Sequence, residues 1–590
     1  MTSGTRAIDA EVAIVGAGPV GLTLALDLAA RGRSVVVLET RRRGEPPSVK
    51  CNHVAARTME QFRRLGVAAD VRDAGLPPDY RNDVVFRTSV TGIELARIHI
   101  PSRATRYSDT SGPDGWWPTP EPPHRINQIY LEPILFAHAD AQPAVTIRSR
   151  HEVTGFVQDG DGVTVCARDL GSGAEQRVRA RFLVGCDGGR SLVRKAIGAV
   201  FAGTPVIQRV QSSYLRAPTL LARIPGEPAW SCYAQNPRRS GVCFAIDGKE
   251  TWLVHNHLMP SEEDFEAVDR DVSIRNILGV GADFEYEILS KEDWIGRRLV
   301  ADRFRAGRAF IAGDAAHLWV PYAGYGMNAG IADALNLSWH LSAHLAGWAD
   351  AKILDAYEIE RLPITEQVSR FAMDHAEQMI RARGAVPARI EEASAEGDAI
   401  RAEEGRKSYA LNVQQFCCAG LNFGYFYDRS PLVAYDDERA PSYTMGGFTA
   451  STVPGCRAPH FRLGDGTSVY DAFGSDYTLL RFDRAVGADP LLRAAAARSV
   501  PLALLDVAPD LAPAEYRHAL VLVRADQHVA WRGDACPATP DVLIERLRGA
   551  LAASADRQAS ADGSGVSSVT RAAISASVPG VHRHAFRRSP

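Results

Sequence analysis

The run Glu11–Val15 (EVAIV) is apolar almost without alternation, which predicts a strand covered on both faces. Leu22–Ala30 repeats its apolar residues at helical spacing, and Ser34–Leu38 reads as a second buried strand, so residues 1–75 open with a βαβ unit. A stretch rich in Pro and Gly follows through Pro123; it is unfit for a regular helix and is expected to supply loops over a pocket. Between Val145 and Val184 the short runs VTIRS, GVTVCARD and RFLVG predict strands, the last leading directly into Asp187. Residues 200–300 are also strand-rich (GVCFAI, TWLVHNHL, FEYEIL) with turn signals between, the pattern of an inserted antiparallel sheet. From Met327 to about Arg383 the spacing is helical, and Tyr357, Glu360, Arg361 and Pro363 mark an expected break between two long helices.

These segments predict an α/β protein whose nucleotide-binding domain is discontinuous, formed by 1–75, 125–200 and 300–385, with 76–124 and 201–299 as a substrate domain. Residues 386–452 read as a connector, and 453–551 as a separate thioredoxin-like unit lacking the redox dithiol. That unit has expected strands at Tyr477–Phe482, Pro501–Val507 and Leu520–Arg524 and a last helix at Pro540–Leu551. From Ala552 the chain is rich in Ala, Ser and Gly and ends in a basic cluster, a composition unable to bury enough surface to fold alone, so a mobile tail is expected. No internal repeat is present.

Charge changes the picture in one respect. With 67 Lys and Arg against 70 Asp and Glu, the 590-residue chain carries a net charge of −3, which argues against a nucleic-acid partner and for a small molecule. No apolar run approaches the roughly 20 residues of a membrane span, and the first strand begins too soon for a signal peptide. Nine cysteines without a C-x-x-C pair fit reduced thiols in a cytoplasmic protein, with the neighbours Cys417 and Cys418 read as core residues; no metal site is expected.

Three motifs carry chemistry. In Gly16-Ala17-Gly18-Pro19-Val20-Gly21, between the first strand and helix, Gly16 permits the turn, Gly18 admits a pyrophosphate, and Gly21 lets helix and strand pack closely. Glu39, about twenty residues on, stands where a ribose hydroxyl is expected, with Thr40 and Arg41 beside it. The second motif is Asp187-Gly188-Gly189-Arg190-Ser191 with Arg194. The third is Gly313-Asp314-Ala315-Ala316-His317, followed by Pro321, Gly324, Gly326, Met327 and Asn328. Asp314 ends a predicted strand, where it would meet a polyol hydroxyl or cap a helix.

With these motifs the chain resembles the single-component FAD-dependent aromatic hydroxylases (class A flavoprotein monooxygenases). The similarity is to the branch of phenol, 2,4-dichlorophenol and 3-(3-hydroxyphenyl)propionate hydroxylases and polyketide-tailoring hydroxylases. It extends through Arg57-Thr58-Met59-Glu60, Gln128-Ile129-Tyr130-Leu131-Glu132, Pro454–Pro459 and Arg524–Arg532. The resemblance implies a Rossmann-like FAD-binding domain, an interleaved antiparallel-sheet substrate domain and a C-terminal thioredoxin-like domain. It also implies that Asp314 meets the ribityl chain of FAD, that Gly324, Gly326 and Asn328 open a helix toward the flavin, and that Pro321 lies against the flavin ring. Asp187 and Arg194 then serve FAD and NAD(P)H, and Gln128, Arg57 and Lys50 lie on the flavin side. Two departures stand out: Ala323 replaces the first glycine of the usual PxGGxGxN, and Lys50 replaces an arginine.

The implied reaction is NAD(P)H-driven hydroxylation of a phenol by O₂ through a flavin C4a-hydroperoxide, with a homodimer as the possible assembly. No second glycine fingerprint follows Gly21, which leaves no separate NAD(P)H-binding Rossmann domain. The substrate wall is expected from the inserted sheet with Trp230, Tyr233, Trp252 and Trp319, against the equal alternative that most of these are plain core. His53 is the first candidate for the substrate base, with Tyr233 and His255 behind it, against the plainer reading of structural histidines; His317 is expected to support the flavin loop. A halogenase would need WxWxIP, which Trp116-Trp117-Pro118 does not match. A flavin-binding redox sensor, with Ala323 as a sign of lost turnover, and a hydroxylase for larger polyketide-like substrates are the alternatives.

Overall fold

The computed structural model describes residues 8–551. Strand β1 (Ala10–Val15) lies centrally in the first sheet, parallel to β2 (Val35–Glu39) on one side and to Glu175–Gly185 on the other. In space the path runs Arg305–Ala306, Ala309–Ile311, Glu175–Gly185, β1, β2, Val145–Ser149, with His151–Gln158 and Val163–Asp169 attached antiparallel beside Glu175–Gly185. Every residue of β2 is buried, as expected of a parallel strand covered on both faces. Helix α1 (Pro19–Ala30) begins three residues before its predicted start because Pro19 suits the first helical position.

The second sheet is built as the spacing between residues 200 and 300 predicts, around the long antiparallel pair Phe201–Arg216 and Glu287–Ala301. It continues through Thr251–His257, Gly241–Ala245 and Ser231–Ala234. The Pro- and Gly-rich stretch does more than cover a pocket: Val84–Arg87 and Glu94–Ile98 complete this sheet, the former parallel to Ser231–Ala234.

Two further expectations are corrected. The break between the long helices α2 (Tyr325–Leu345) and α3 (Ile353–Gly384) falls at Ala346–Lys352, where Gly347 adopts φ +81°, while Pro363 lies inside α3. A mid-helix proline costs about 3 kcal/mol. Just before it, Glu360 and Arg361 anchor the helix through buried ion pairs with Arg524 and Asp333. The stretch read as a connector contains a 22-residue helix, Ala395–Phe416, started by the Ser394 side chain, which accepts from the Gly397 N–H at 3.1 Å.

The C-terminal thioredoxin-like sheet runs Leu502–Asp506, Tyr477–Arg481, Leu520–Arg524, Val529–Gly533, its first pair parallel and the others antiparallel. Its two faces separate by strand parity: Tyr477, Leu479 and Leu522 join the core of the first domain, while Leu480, Val521 and Val523 form a second cluster with Phe461 and Tyr516. The last helix is Pro540–Leu547, shorter than predicted because Gly549 turns the chain at φ +75°. The expected tail from Ala552 lies outside the described residues.

Candidate active site

The glycine turn ends β1 as a close three-way approach. A Cβ at Gly16 would sit 2.5 Å from the Cys186 carbonyl oxygen, and one at Gly21 only 2.1 Å from that of Gly16, whereas one at Gly18 would meet nothing within 4 Å. Gly18 is therefore free of packing duty and faces open space at the uncapped amino end of α1, where Pro19 and Val20 begin the helix. Glu39 accepts from the Ala17 N–H at 2.7 Å and the Arg41 N–H at 2.9 Å, and from the Thr40 hydroxyl at 3.2 Å. Burial alone would raise its carboxyl, but the Arg41 guanidinium and these donors outweigh it and hold the group below the usual range. Arg41 bridges Glu39 to Glu132 at 2.6 Å, and Gln128 donates to the other Glu132 oxygen at 2.9 Å. These groups edge a groove of about 530 Å³ that runs from Ala17 and Glu39 past Pro47 to Phe136.

In the third motif, Gly313 turns the chain at φ +62° and leaves Asp314 exposed, with no hydrogen bond or ion pair to any described residue. Asp314 does not cap a helix: Ala312 holds the cap position of its short 3₁₀ turn. Lys50 pairs with Glu292 at 3.5 Å, both side chains half-exposed, and feels the Asp314 charge. Pro321 is exposed at the start of the next turn, and Ala323 and Gly324 both take left-handed backbone, φ +59° and +60°. Helix α2 thus begins at Tyr325 without a side-chain cap, and the buried Trp319 indole N–H, beside Gly326, has no partner among described residues. An exposed carboxylate, an open glycine turn, an orphaned indole donor and uncapped helix N–H groups fit a flavin dinucleotide.

Other residues of the motifs support this region through protein contacts. Asn328 spends its amide on the loop before the Arg57 helix, accepting from the Ala55 N–H at 2.8 Å and donating to the carbonyls of His53 (3.1 Å) and Gly324 (2.7 Å). Met327 is buried beside it. Asp187 accepts from the Ser191 hydroxyl at 2.5 Å and the Leu192 N–H at 2.7 Å, closing its own loop around Gly188. Arg194 is buried 3.8 Å from the Phe201 ring. Arg57 turns away to the C-terminal domain, donating to the Asp526 carbonyl at 2.9 Å and to Gln527. His317 lies 2.6 Å from Asp333 and stacks on Trp319 at 4.6 Å.

The second sheet presents a band of rings. Tyr233 stacks on Phe86 at 5.3 Å, and Phe416, Trp230, Phe244, His255 and Trp294 follow one another at centroid distances of 6.1, 5.3, 5.5 and 5.8 Å. Trp252, expected in the wall, is three residues from His255 on the same strand, and that odd offset puts it on the opposite face beside Cys232 and Cys243.

Of the candidate bases, His53 receives a hydrogen bond from Arg125 Nη1 on its Nδ1 at 2.6 Å. Because arginine only donates, the imidazole proton is fixed on Nε2, and burial together with the Arg125 charge holds the ring neutral, far below the usual histidine range. His53 is thus a hydrogen-bond donor here and not a free proton acceptor. Burial pushes the Tyr233 phenol up, and holds His255 at about 4, neutral and without a protein hydrogen bond among described residues. Arg125 and Phe416 escaped sequence reasoning; the lone arginine three residues before Gln128 was the available signal.

The fold and site define a dinucleotide-binding α/β protein whose second sheet carries a band of aromatic rings. The FAD binding domain profile matches residues 9–372, and the aromatic-ring hydroxylase C-terminal profile matches 451–557. Phenol 2-monooxygenase of Pseudomonas sp. (strain EST1001) is 30% identical over 92% of this chain and 92% of its own. A putative polyketide hydroxylase of Streptomyces halstedii is 32% identical over 88% of this chain and 93% of its own. Among solved structures, RebC soaked with chromopyrrolic acid and holding 7-carboxy-K252c superimposes with a TM-score of 0.83 at 34% identity, covering 92% of this chain and 100% of RebC. The chain belongs to the FAD-dependent aromatic-ring hydroxylases.

Proposed function

We propose that this chain hydroxylates a phenolic aromatic substrate with O₂, drawing electrons from NAD(P)H. The observation that carries this is the ring band from Phe416 to Trp294 on one face of the second sheet, with His53 reaching the Gly324 turn at its near end. FAD, when bound, supplies reduction by pyridine nucleotide and activation of O₂. The chain's own residues then do four things: Asp314 and Glu39 would hold the dinucleotide, Pro321 and the Ala323–Gly326 turn would border the ring system, the aromatic band excludes water, and the neutral His255 offers the phenol a hydrogen-bond partner. Asp187 and Arg194 shape the loop on which the nicotinamide would act. Reduced thiols at all nine cysteines support a cytoplasmic setting.

The length of the ring band favours a fused, multi-ring acceptor over a single phenol, in line with the polyketide hydroxylase among the relatives. The test is NAD(P)H oxidation by the FAD-loaded protein with and without mono- and bicyclic phenols, with ¹⁸O₂ incorporation read by mass spectrometry. Faster oxidation with one labelled oxygen in the product is expected. Oxidation indifferent to every phenol would favour the redox-sensor alternative.

A further inference from the structure

Helix Ala56–Arg64, α2, α3 and the turn at Ala525 and Asp526 of the C-terminal domain enclose a cleft of about 40 Å³. It shares no lining residue with the groove at Glu39 or with the ring band. Arg361 lines this cleft and is 2% exposed. Its Nε donates to Asp333 at 2.9 Å, whereas Nη1 and Nη2 make no hydrogen bond to any described residue. Neither terminal nitrogen is sealed in the core, so the open end of the guanidinium fork faces the cleft. The hydroxyl of Thr58, a residue 3% exposed on the same wall, is also without a partner among described residues. The guanidinium carbons of Arg57 and Arg361 both lie 6.0 Å from the Tyr425 ring centre, which places the two cations around one ring.

The walls carry the positive ends of ion pairs. Arg31, Arg57, Arg64 and Arg361 all line the cleft, while the acids that pair with them, Asp27, Glu60 and Asp333, stand behind and do not. Asp526 is the one acid in the lining, and it already accepts from Arg524 at 3.0 Å and from the Tyr427 hydroxyl at 3.1 Å. Water that accepted from the Arg361 fork would have to pass its own protons on. Asn336 Oδ1, the unpartnered amide oxygen of the lining, has almost no accessible surface to take one. Donors are therefore in surplus, and the surplus points to an occupant that only accepts. The volume is several times the roughly 10–15 Å³ that one water needs, yet it is too small for a nucleotide or an aromatic ring.

We propose that this cleft binds a small aliphatic carboxylate, its two oxygens on the Arg361 fork and the Thr58 hydroxyl and its short chain against Ile331, Ala332 and Leu335. A planar carboxylate matches the paired Nη donors, and the apolar side of α2 suits its carbons better than it suits phosphate or chloride. The occupant would tie the Arg57 helix and α3 to the C-terminal domain. The inference goes beyond the hydroxylase reading and does not depend on it.

The test is isothermal titration of the FAD-loaded protein with propionate at fixed ionic strength, alongside chloride and inorganic phosphate. Saturable binding of one propionate per chain is expected, at least about tenfold tighter than either inorganic anion. Thr58→Val should weaken it about fivefold, the worth of one neutral hydrogen bond. Ala332→Leu, which fills the cleft from its half-exposed wall, should abolish it, with the unfolding midpoint of both variants unchanged. Arg361→Lys keeps the charge beside Asp333 but loses the fork, and should also abolish binding; if that variant does not fold, the other two decide. Propionate bound no better than chloride overturns the proposal, as does propionate binding that survives Ala332→Leu, which would put the acid elsewhere. Either failure leaves the hydroxylase reading intact, since ¹⁸O₂ incorporation tests that separately.

Discussion

Glu360 of α3 and Arg524 of the C-terminal sheet form a doubly hydrogen-bonded ion pair, at 2.5 and 2.9 Å, with both side chains fully buried. Burial alone would raise the Glu360 carboxyl, but the Arg524 charge outweighs it and keeps the group ionised. Removing one partner strands the other. Arg524→Met is expected to cost about 3 to 5 kcal/mol, measured by denaturant unfolding. The double variant Glu360→Gln, Arg524→Met should recover part of that loss; a single variant within 1 kcal/mol of the parent would contradict the pairing.

Gly18 and Gly21 differ in what an added methyl would meet, and this separates folding from cofactor binding. Gly18→Ala, with nothing within 4 Å, should leave the unfolding midpoint unchanged while weakening FAD at least about tenfold, since the methyl enters the pyrophosphate's approach. Gly21→Ala, 2.1 Å from the Gly16 carbonyl, should fail to fold or lose several kcal/mol. Equilibrium dialysis with FAD and thermal unfolding read the two effects.

Asp314 has no hydrogen-bond or ion-pair partner among described residues to lose. Asp314→Asn should therefore change stability by less than about 0.5 kcal/mol and yet release FAD on dilution, seen as recovered flavin fluorescence. Retention of FAD at parental affinity would remove Asp314 from the cofactor site.

Ala323 holds left-handed backbone, which costs a residue with a Cβ about 1 to 2 kcal/mol. Replacing it by Gly relieves that strain and loses about 0.5 to 1 kcal/mol through the freer unfolded chain. Ala323→Gly should therefore be stabilising by about 0.5 kcal/mol in thermal unfolding, with FAD retained. A net loss would mean that the methyl's packing beside Tyr325 and Met445 matters more than the strain.

Acid should destabilise the fold well above the carboxylate range. Burial holds His124 at about 3 and His255, His340 and His375 at about 4, so each stays neutral when folded but takes a proton near pH 6.5 when unfolded. The unfolded chain then binds more protons, and stability falls as pH drops from 6.5 toward 4, by about 1.4 kcal/mol per unit for each histidine. Denaturation midpoints at pH 7.5, 6.5 and 5.5 check the slope, and His124→Gln should flatten it by one proton.

What could be read beforehand followed the range of the interaction. The turn at Gly16–Gly21 and the acid at Glu39 are local, set by a strand, a turn and a helix that pattern reveals. Pro363 misled because the contacts that anchor α3 beside it are distant in sequence, joining Glu360 to residue 524 and Arg361 to residue 333. Trp252 was misplaced because its face depends on strand register, which a run of apolar residues does not fix. Arg125 stayed hidden for the same reason as Pro363: its partners His53, Trp230 and Phe416 come from three distant stretches.

The interleaved threading of the two sheets also sets a timetable for synthesis. Glu175–Gly185 waits for Ala309–Ile311, and Val84–Arg87 waits for Ser231–Ala234, so neither sheet can be completed while the amino-terminal third of the chain is alone outside the ribosome. The nascent apolar strands must be shielded in the meantime, and slow translation through residues 100–230 would lengthen that exposure.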